Sequence, residues 1–446
     1  MEVTLQQILE ARDSRAKLQQ RLQQQFHCPV VCFTMNIPGP VKNTPLIRRA
    51  FGYGLQILEG QLPGILHKEI LDASTGCEAM YAVDEDALQL KRICTAIEDS
   101  TPLGRLFDMD VLDVRGNKLD RSLVNGNSRD CIVCGAPGRG CASRRLHTLD
   151  ELQAAVAKIM ETHFLQMDRD TIAALAVQSL LDEVNTTPKP GLVDRRNNGS
   201  HKDMDIATFT VSAEALRPYF QACVQIGLET AQCPPEETFV QLRREGLRAE
   251  QAMYRATGGV NTHKGAVYTM GVLCGSLGRL WRADAPFADT KQLLKECGKL
   301  ALVSLKKDFS CITNEPATAG ERLYLERGIT GIRGEVAAGL PSVFKHSLPV
   351  FRRCLSEGYS SNDAGVVALL HLIAEVEDTN LYRRGGVEGA AWAATAAAAL
   401  LPDPSMEEIE ALDEEYIRRN LSPGGCADLL AATYFLHKLE KKTSAD

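Results

Sequence analysis

Asp108 and Asp110 are the first residues whose type and spacing suggest chemistry. They sit in Gly104-Arg105-Leu106-Phe107-Asp108-Met109-Asp110-Val111-Leu112, where apolar and acidic residues alternate. On a strand, successive side chains point to opposite faces, so the two carboxylates share one face and Phe107, Met109 and Val111 pack behind them. Two carboxylates side by side repel unless a cation lies between them. Mg²⁺ suits such a pair, because it prefers oxygen ligands and bridges to phosphates. The pattern predicts a metal-assisted attack on a phosphoester. Upstream, the turn Asn36-Ile37-Pro38-Gly39-Pro40-Val41 precedes Lys42, with Arg48 and Arg49 behind it. These three cations suit a pyrophosphate leaving group. Asp113 is expected on the opposite strand face. The plainer alternative is a polar strand edge with solvated acids.

The second half concentrates its chemistry in four polar segments. Lys189–Met204 holds Asp194, His201 and Asp203; Thr257–Gly265 holds His263 and Lys264; Gly331–Glu335 holds Arg333 and Glu335; Asp378–Gly386 holds Asn380 and Arg384. Glycines ahead of a helix let backbone N–H groups approach phosphates, and Lys264 adds charge. The order G-x4-G-K-[ST] is absent, so this is not a Walker A loop. Each segment alone reads as a cap or a turn. Pooled, they offer acids for Mg²⁺ beside bases for phosphates, as a nucleoside triphosphate site needs.

Cys131-x2-Cys134-x6-Cys141-x5-His147 has the ligand types and number of a zinc site. Its spacing fits no standard finger. The expected reading is a cysteine-containing loop without metal, with zinc as the alternative.

The elements that must carry these residues change character near residue 166. Before it, residues 4–26 read as a helix, 29–35 and 79–83 as strands, 87–99 as an amphipathic helix and 148–164 as a helix closing a first, α+β domain. After it, helical patterns follow from 168–184 onward with few strand signals. The expectation is an all-α domain over 166–446 whose site is built from inter-helix loops. The 446 residues are enough for two or three domains. A net charge of −7 argues against a nucleic-acid binder. No apolar run reaches a membrane span, and the start resembles no signal peptide. Fourteen cysteines without an export signal suggest reduced thiols and a cytoplasmic location.

The motifs also resemble known families. FTMNIPGPVKNTPLIRRAF, GRLFDMDVLDVRG and the cysteine cluster are similar to holo-citrate lyase synthase, also called apo-citrate lyase phosphoribosyl-dephospho-CoA transferase. KPGLVDRRNNGSHKDM, TGGVNTHKGAVY, GIRGE, DTNLYRRGG and SPGGCADLLA resemble triphosphoribosyl-dephospho-CoA synthase. The resemblance covers nearly the whole chain, in the order of a natural fusion, with a transferase domain over 1–165 and a synthase domain over 166–446.

This resemblance implies a nucleotidyltransferase-like first domain, although the usual upstream Gly-Ser element is represented only by Thr75-Gly76. It implies that the second domain joins ATP to 3′-dephospho-CoA and releases adenine. The first would then pass the phosphoribosyl-dephospho-CoA group to a serine of the acyl carrier (gamma) subunit of citrate lyase and release pyrophosphate. Asp108 and Asp110 would hold Mg²⁺ and one of them would help deprotonate the serine, with Lys42 and Arg48 or Arg49 on the pyrophosphate. Asp203 or Glu335 would be base or stabiliser, and His201 or His263 the proton donor. Lys264, Arg333 and Arg384 would clamp the triphosphate, with Asp378 and Asn380 beside them. The competing readings are the same chemistry serving malonate decarboxylase, and a non-catalytic nucleotide-binding regulator.

Overall fold

The computed structural model describes residues 2–126, 129–136, 141, 144–310, 319–401 and 404–445. The chain divides into two compact units, Met1–Met167 and Asp168–Asp446.

The first unit is built on four strands. Helix α1 (Leu5–Phe26) starts at a capping box in which Thr4 and Gln7 exchange side-chain and backbone bonds. Strand β1 (Val30–Met35) follows, then α2 (Pro45–Gln61), which Thr44 caps and Pro45 opens. Strands β2 (Ile65–Ala73) and β3 (Gly76–Val83) form a hairpin, α3 (Ala87–Ser100) is capped by Asp86, and β4 (Phe107–Leu112) completes the set. The sheet order is β2-β3-β1-β4, and every pairing is antiparallel.

Its two faces differ as the alternation in β4 demands. Phe107, Met109 and Val111 are buried, and Phe107 meets Phe33 edge-on while Phe33 stacks on Phe51 of α2. On the other face, Leu22 of α1 is buried against Val30, Cys32 and Met80, with Leu18 and Phe26 beside it. Asp113 lies beyond the strand, not on its opposite face. Its carboxylate accepts the amides of Arg115 and Asn117 and shapes the turn after β4.

Helix α4 runs from Leu149 to Asn185 without a break. The expected close of a helix at residue 164 and restart at 168 is therefore corrected. Residues 165–167, Leu-Gln-Met, contain neither glycine nor proline nor a cap, so nothing interrupts the hydrogen-bond ladder.

The second unit is helical: α5 (Ile206–Ala215), α6 (Arg217–Glu229), α7 (Pro235–Ala256), α8 (Lys264–Leu280), α9 (Thr290–Ser310), α10 (Ala319–Arg327), α11 (Gly331–Ala337), α12 (Leu348–Ser356), α13 (Ser361–Glu375), α14 (Thr379–Leu400), α15 (Met406–Arg418) and α16 (Gly424–Ala445). The run 212–231, read as one helix, is two, because Pro218 at the start of α6 has no N–H to continue the ladder. Helix α8 is central, with almost every residue from Ala266 to Gly278 buried. GIRGE is helix α11 itself, and the segment after Asp378 is the first turns of α14, interrupted at Gly386 (φ 64°). Two of the four expected loops are thus helix starts.

Candidate functional sites

In the first unit the register places Asp108 opposite Thr34 and Asp110 opposite Cys32, with Glu78 opposite Thr34 on its other side. Glu78, Thr34 and Asp108 therefore form one row across three strands on the face that α1 only partly covers. Asp108 is exposed and Asp110 half-buried. Among the described residues, Asp110 pairs with Lys118 at 2.5 Å. Glu78 is buried and held by both guanidinium arms of Arg15 from α1, a bidentate pair. That bond raises the Arg15 pKa, and Asp108 adds to the effect, so the guanidinium stands within electrostatic reach of both acids. Sequence reasoning missed Glu78 and Arg15, since only strand register brings residues 15, 78 and 108 together.

The three expected cations separate. Lys42 lies beside the start of β3, and burial followed by repulsion from Arg12 lowers its pKa; its ammonium donates to the Ile37 carbonyl. Arg48 donates to Asn43, which in turn binds Asp72 and the Ala73 carbonyl at the β2–β3 turn. Arg49 lays its guanidinium over the Phe164 ring at 4.0 Å, a packing contact that the types and spacing of 42, 48 and 49 did not suggest.

A cavity of about 870 Å³ opens at another part of this unit. It is walled by Asn36 and Pro38 after β1, by Arg105, Arg121, Arg129 and Arg145, and by Cys131, Cys141 and His147. Arg105 reaches the Asp130 carbonyl, Arg129 donates to the Phe107 carbonyl and pairs with buried Glu98, and Arg121 grips Asp99 with two bonds of 2.7 Å.

In the second unit a cavity of about 460 Å³ gathers residues from five distant stretches. His201, Asp203, His263, Lys264, Asn380 and Arg384 all line it, as do Glu183, Lys189, Arg383, Ser422 and Asp428. Arg333 lines a neighbouring, mostly apolar cavity of about 330 Å³ that shares Lys264, Gly265 and Ile332 with the first. Glu335 is not among the residues lining either one; its carboxylate accepts the Ser342 amide and holds the turn after α11.

Two acids of the expected metal set are structural. Buried Asp194 accepts the amides of Lys189, Arg196 and Asn197 and the Thr187 hydroxyl. Buried Asp378 caps α14 through Asn380 and Leu381 and also takes the Cys426 amide at 2.9 Å, joining the starts of α14 and α16. Asp378 thus positions the site, and is absent from the cavity wall.

Both histidines are shifted toward the neutral imidazole. Burial, then Arg384 and Arg383, lower the His201 pKa against the pull of Asp203. Its Nδ1 faces an Arg384 N–H at 3.4 Å, so its Nε2–H donates to Ser422 Oγ at 2.9 Å. Complete burial, with Lys189 adding, lowers His263 to about 3. Thr262 donates to Ser212, whose hydroxyl donates to His263 Nδ1 at 2.7 Å. Each imidazole in its neutral form keeps one N–H: that of His201 is bonded to Ser422, and that of His263 is on Nε2, a buried atom without a hydrogen-bond partner among the described residues. Arg384 spends one nitrogen on the Ser200 carbonyl and Asn420, so it braces the 195–204 loop as well as facing the cavity. Lys264 pairs with Glu250 at 3.0 Å in an exposed position, a bond worth about 0–1 kcal/mol that a ligand phosphate can replace.

Asp428 is a further acid of this cavity. It stands at the N-terminus of α8 and accepts the Ala266 amide. Desolvation, then the charges of Glu183 and Asp378, push its pKa well above the carboxylate range. A side chain at Gly265 would overlap it, since a Cβ there would lie 1.9 Å from Asp428 Oδ2. Glu183 is itself buried and also raised by desolvation, with Lys189 as its partner. Asp428 lies inside the SPGGCADLLA segment quoted above, but nothing in its spacing tells it apart from a helix-surface acid.

The comparisons with known proteins agree with this division. Residues 3–163 match the family described as apo-citrate lyase phosphoribosyl-dephospho-CoA transferase, and residues 169–446 match ATP:dephospho-CoA triphosphoribosyl transferase. A protein named CitXG from Haemophilus influenzae is 35% identical over 97% of this chain and 96% of its own length. The chain belongs to the CitXG fusion family. Another CitXG, from Leuconostoc mesenteroides, is 31% identical over 98% of this chain and 97% of its own. A 2-(5″-triphosphoribosyl)-3′-dephosphocoenzyme-A synthase of Pectobacterium atrosepticum is 39% identical over 64% of this chain and 95% of its own. One solved structure, from Archaeoglobus fulgidus, covers 51% of this chain at 20% identity with a TM-score of 0.33. As a CitXG fusion the chain is a bifunctional transferase of citrate lyase prosthetic-group biosynthesis. No described helix is long and apolar enough to cross a membrane.

Proposed function

We propose that the second unit makes 2′-(5″-triphosphoribosyl)-3′-dephospho-CoA in the cavity lined by Asp203, Lys264, Arg383, Arg384 and Asp428. The C1′–N9 bond of ATP breaks and a bond from C1′ to the 2′-oxygen of 3′-dephospho-CoA forms. Asp203, exposed at the rim, takes the hydroxyl proton. Asp428, kept protonated by its surroundings, gives its proton to the departing adenine, the division of labour expected of two carboxyl groups in unlike environments. A carboxylate beside the ring also favours an oxocarbenium-like transition state. Lys264, Arg383 and Arg384 hold the triphosphate, with Arg333 at the adjoining cavity. The observation that carries this reading is the convergence of a raised, half-buried acid and an exposed acid on one cation-lined cavity.

The first unit, in this reading, works as a nucleotidyltransferase on the open sheet face. The carboxylates of Asp108 and Asp110 form an all-oxygen donor set of the kind Mg²⁺ takes, and that ion would neutralise the α-phosphate. Asp108 accepts the proton of the carrier serine as its oxygen bonds to phosphorus and pyrophosphate leaves. Lys118 stands ready to exchange Asp110 for a phosphate oxygen, and Arg15 and Lys42 border the same face. The acceptor is the acyl carrier (gamma) subunit of citrate lyase, and the reactions belong in the cytoplasm.

The test is a reconstitution with ATP, 3′-dephospho-CoA, Mg²⁺ and the apo-carrier of either citrate lyase or malonate decarboxylase. Free adenine and a mass increase on the citrate lyase carrier are expected. Preference for the malonate decarboxylase carrier would reassign the partner, and absence of adenine would sink the synthase assignment in favour of a non-catalytic nucleotide binder.

A further inference from the structure

The cysteine-histidine cluster was expected to be a loop without metal, because its spacing matches no standard finger. The fold nevertheless draws its parts together. One ligand atom from each of Cys131, Cys134, Cys141 and His147 lies within 4.8 Å of every other. Cys134 Sγ is 3.5 Å from Cys141 Sγ and 3.3 Å from His147 Nε2. A tetrahedral zinc with bonds of about 2.3 Å to sulfur and 2.05 Å to nitrogen requires S···S edges near 3.8 Å and S···N edges near 3.6 Å. The Cys134–Cys141 and Cys134–His147 separations fall within a few tenths of an ångström of those edges.

The surroundings are built for the same end. Cys131–Gly135 is a tight turn: the Gly135 amide returns to the Cys131 carbonyl at 2.9 Å, and Gly135 takes φ 72°, a conformation that glycine adopts without strain. The amides of Cys134 and Val133 point at the Cys131 sulfur. Such N–H donors stabilise thiolate, the form that binds metal. His147 turns Nε2 inward and Nδ1 toward Glu151 Oε2 at 4.0 Å. A carboxylate behind the far ring nitrogen is how metal-bound histidines are oriented. Glu151 is itself fixed by the Thr148 amide at the start of α4. Cys141 is buried, Cys131 and His147 half-buried and Cys134 exposed, so the cluster sits at the surface with one ligand inside.

We propose that Cys131, Cys134, Cys141 and His147 bind one structural zinc ion. Four protein ligands leave no open position, so the ion staples and does not catalyse. It ties a strand-poor segment to the start of α4. That segment supplies Arg129, Asp130, Cys131, Cys141, Arg145 and His147 to the wall of the 870 Å³ cavity. The binding energy of structural zinc is folding energy for the segment it closes.

Full-length chain purified under reducing conditions without added chelator is expected to contain one zinc per molecule by elemental analysis. Chelation should expose three additional thiols to a thiol reagent. Cobalt(II) added to the stripped protein should give the visible bands of a tetrahedral thiolate site. Cys134→Ser should lose the metal, and Cys233→Ser in the second unit should keep it. Should Cys134→Ser fail to fold, His147→Cys serves instead: it is expected to retain zinc and to shift the cobalt spectrum toward four thiolates. Wild-type protein that carries no zinc, takes up none and gives no cobalt bands would overturn the proposal. So would a Cys134–Cys141 disulfide that persists in the reduced preparation.

Discussion

The two units handle charge in opposite ways. The sheet unit sets exposed Asp108 and half-buried Asp110 on an open face, with Lys118 paired to Asp110 and the nearby buried Glu78 held by Arg15. The helical unit buries Glu183 and Asp378 and half-buries Asp428, and desolvation raises the pKa of each, with Lys189 paired to Glu183. An exposed acid pair suits a cation and an electrophilic phosphorus. A desolvated carboxyl group suits a leaving base. In the proposed reading, the difference in solvent access, more than in residue type, separates the phosphoryl-transfer site from the glycosyl-transfer site.

That contrast breaks first at Asp108. Asp108→Asn is expected to lower carrier modification by about 10³-fold, the several kcal/mol that metal-assisted charge stabilisation supplies, with adenine release unchanged. Equal loss of both activities would show that the sites are not separable in this way. Next, Lys189→Ala removes the partner of the buried Glu183 carboxyl group, at a cost of about 3–5 kcal/mol. Chemical denaturation should show it as a lower midpoint for the second unit's transition.

Asp428→Asn is expected to slow adenine release by about 10²-fold, within the range of general acid catalysis. The same change should stabilise the fold at high pH. A carboxyl group raised on folding binds more protons folded than unfolded, so it loses stability as pH rises from the ordinary carboxylate value through its raised one. The gain in melting temperature of Asp428→Asn over the parent should therefore grow from pH 4 to pH 8. A gain that is constant with pH would remove the raised acid from the argument. The smallest effect is expected from Glu335→Gln, which keeps an oxygen for the Ser342 amide: adenine release should stay within about threefold of the parent, as for a substitution outside the site.

Some of this was legible beforehand. The alternation around Asp108 and Asp110 located β4 and its two faces, because a period of two has one structural meaning. The cap at Thr44-Pro45 and the hairpin arm β2 went unread, since β2 exposes Leu66, Ile70 and Leu71 and carries no clean alternation. In the second unit, the polar segments share one cavity. They did not rank their own members: Asp194 and Asp378 prove to be backbone anchors, and Glu335 a turn anchor. A carboxylate that ties down amides and one that meets a substrate are identical in sequence.

The amino-acid sequence by itself determined the two-part organisation, the helical or stranded state of most segments and the families of both parts, since these depend on local periodicity and on long motifs in order. Only the tertiary structure decided which acids keep protons, which cations are spent on aromatic rings or carbonyls, and that Cys131, Cys134, Cys141 and His147 meet. The reason is physical. Protonation, pairing and metal geometry depend on distances and solvent access between residues far apart in the chain, and no local pattern encodes either.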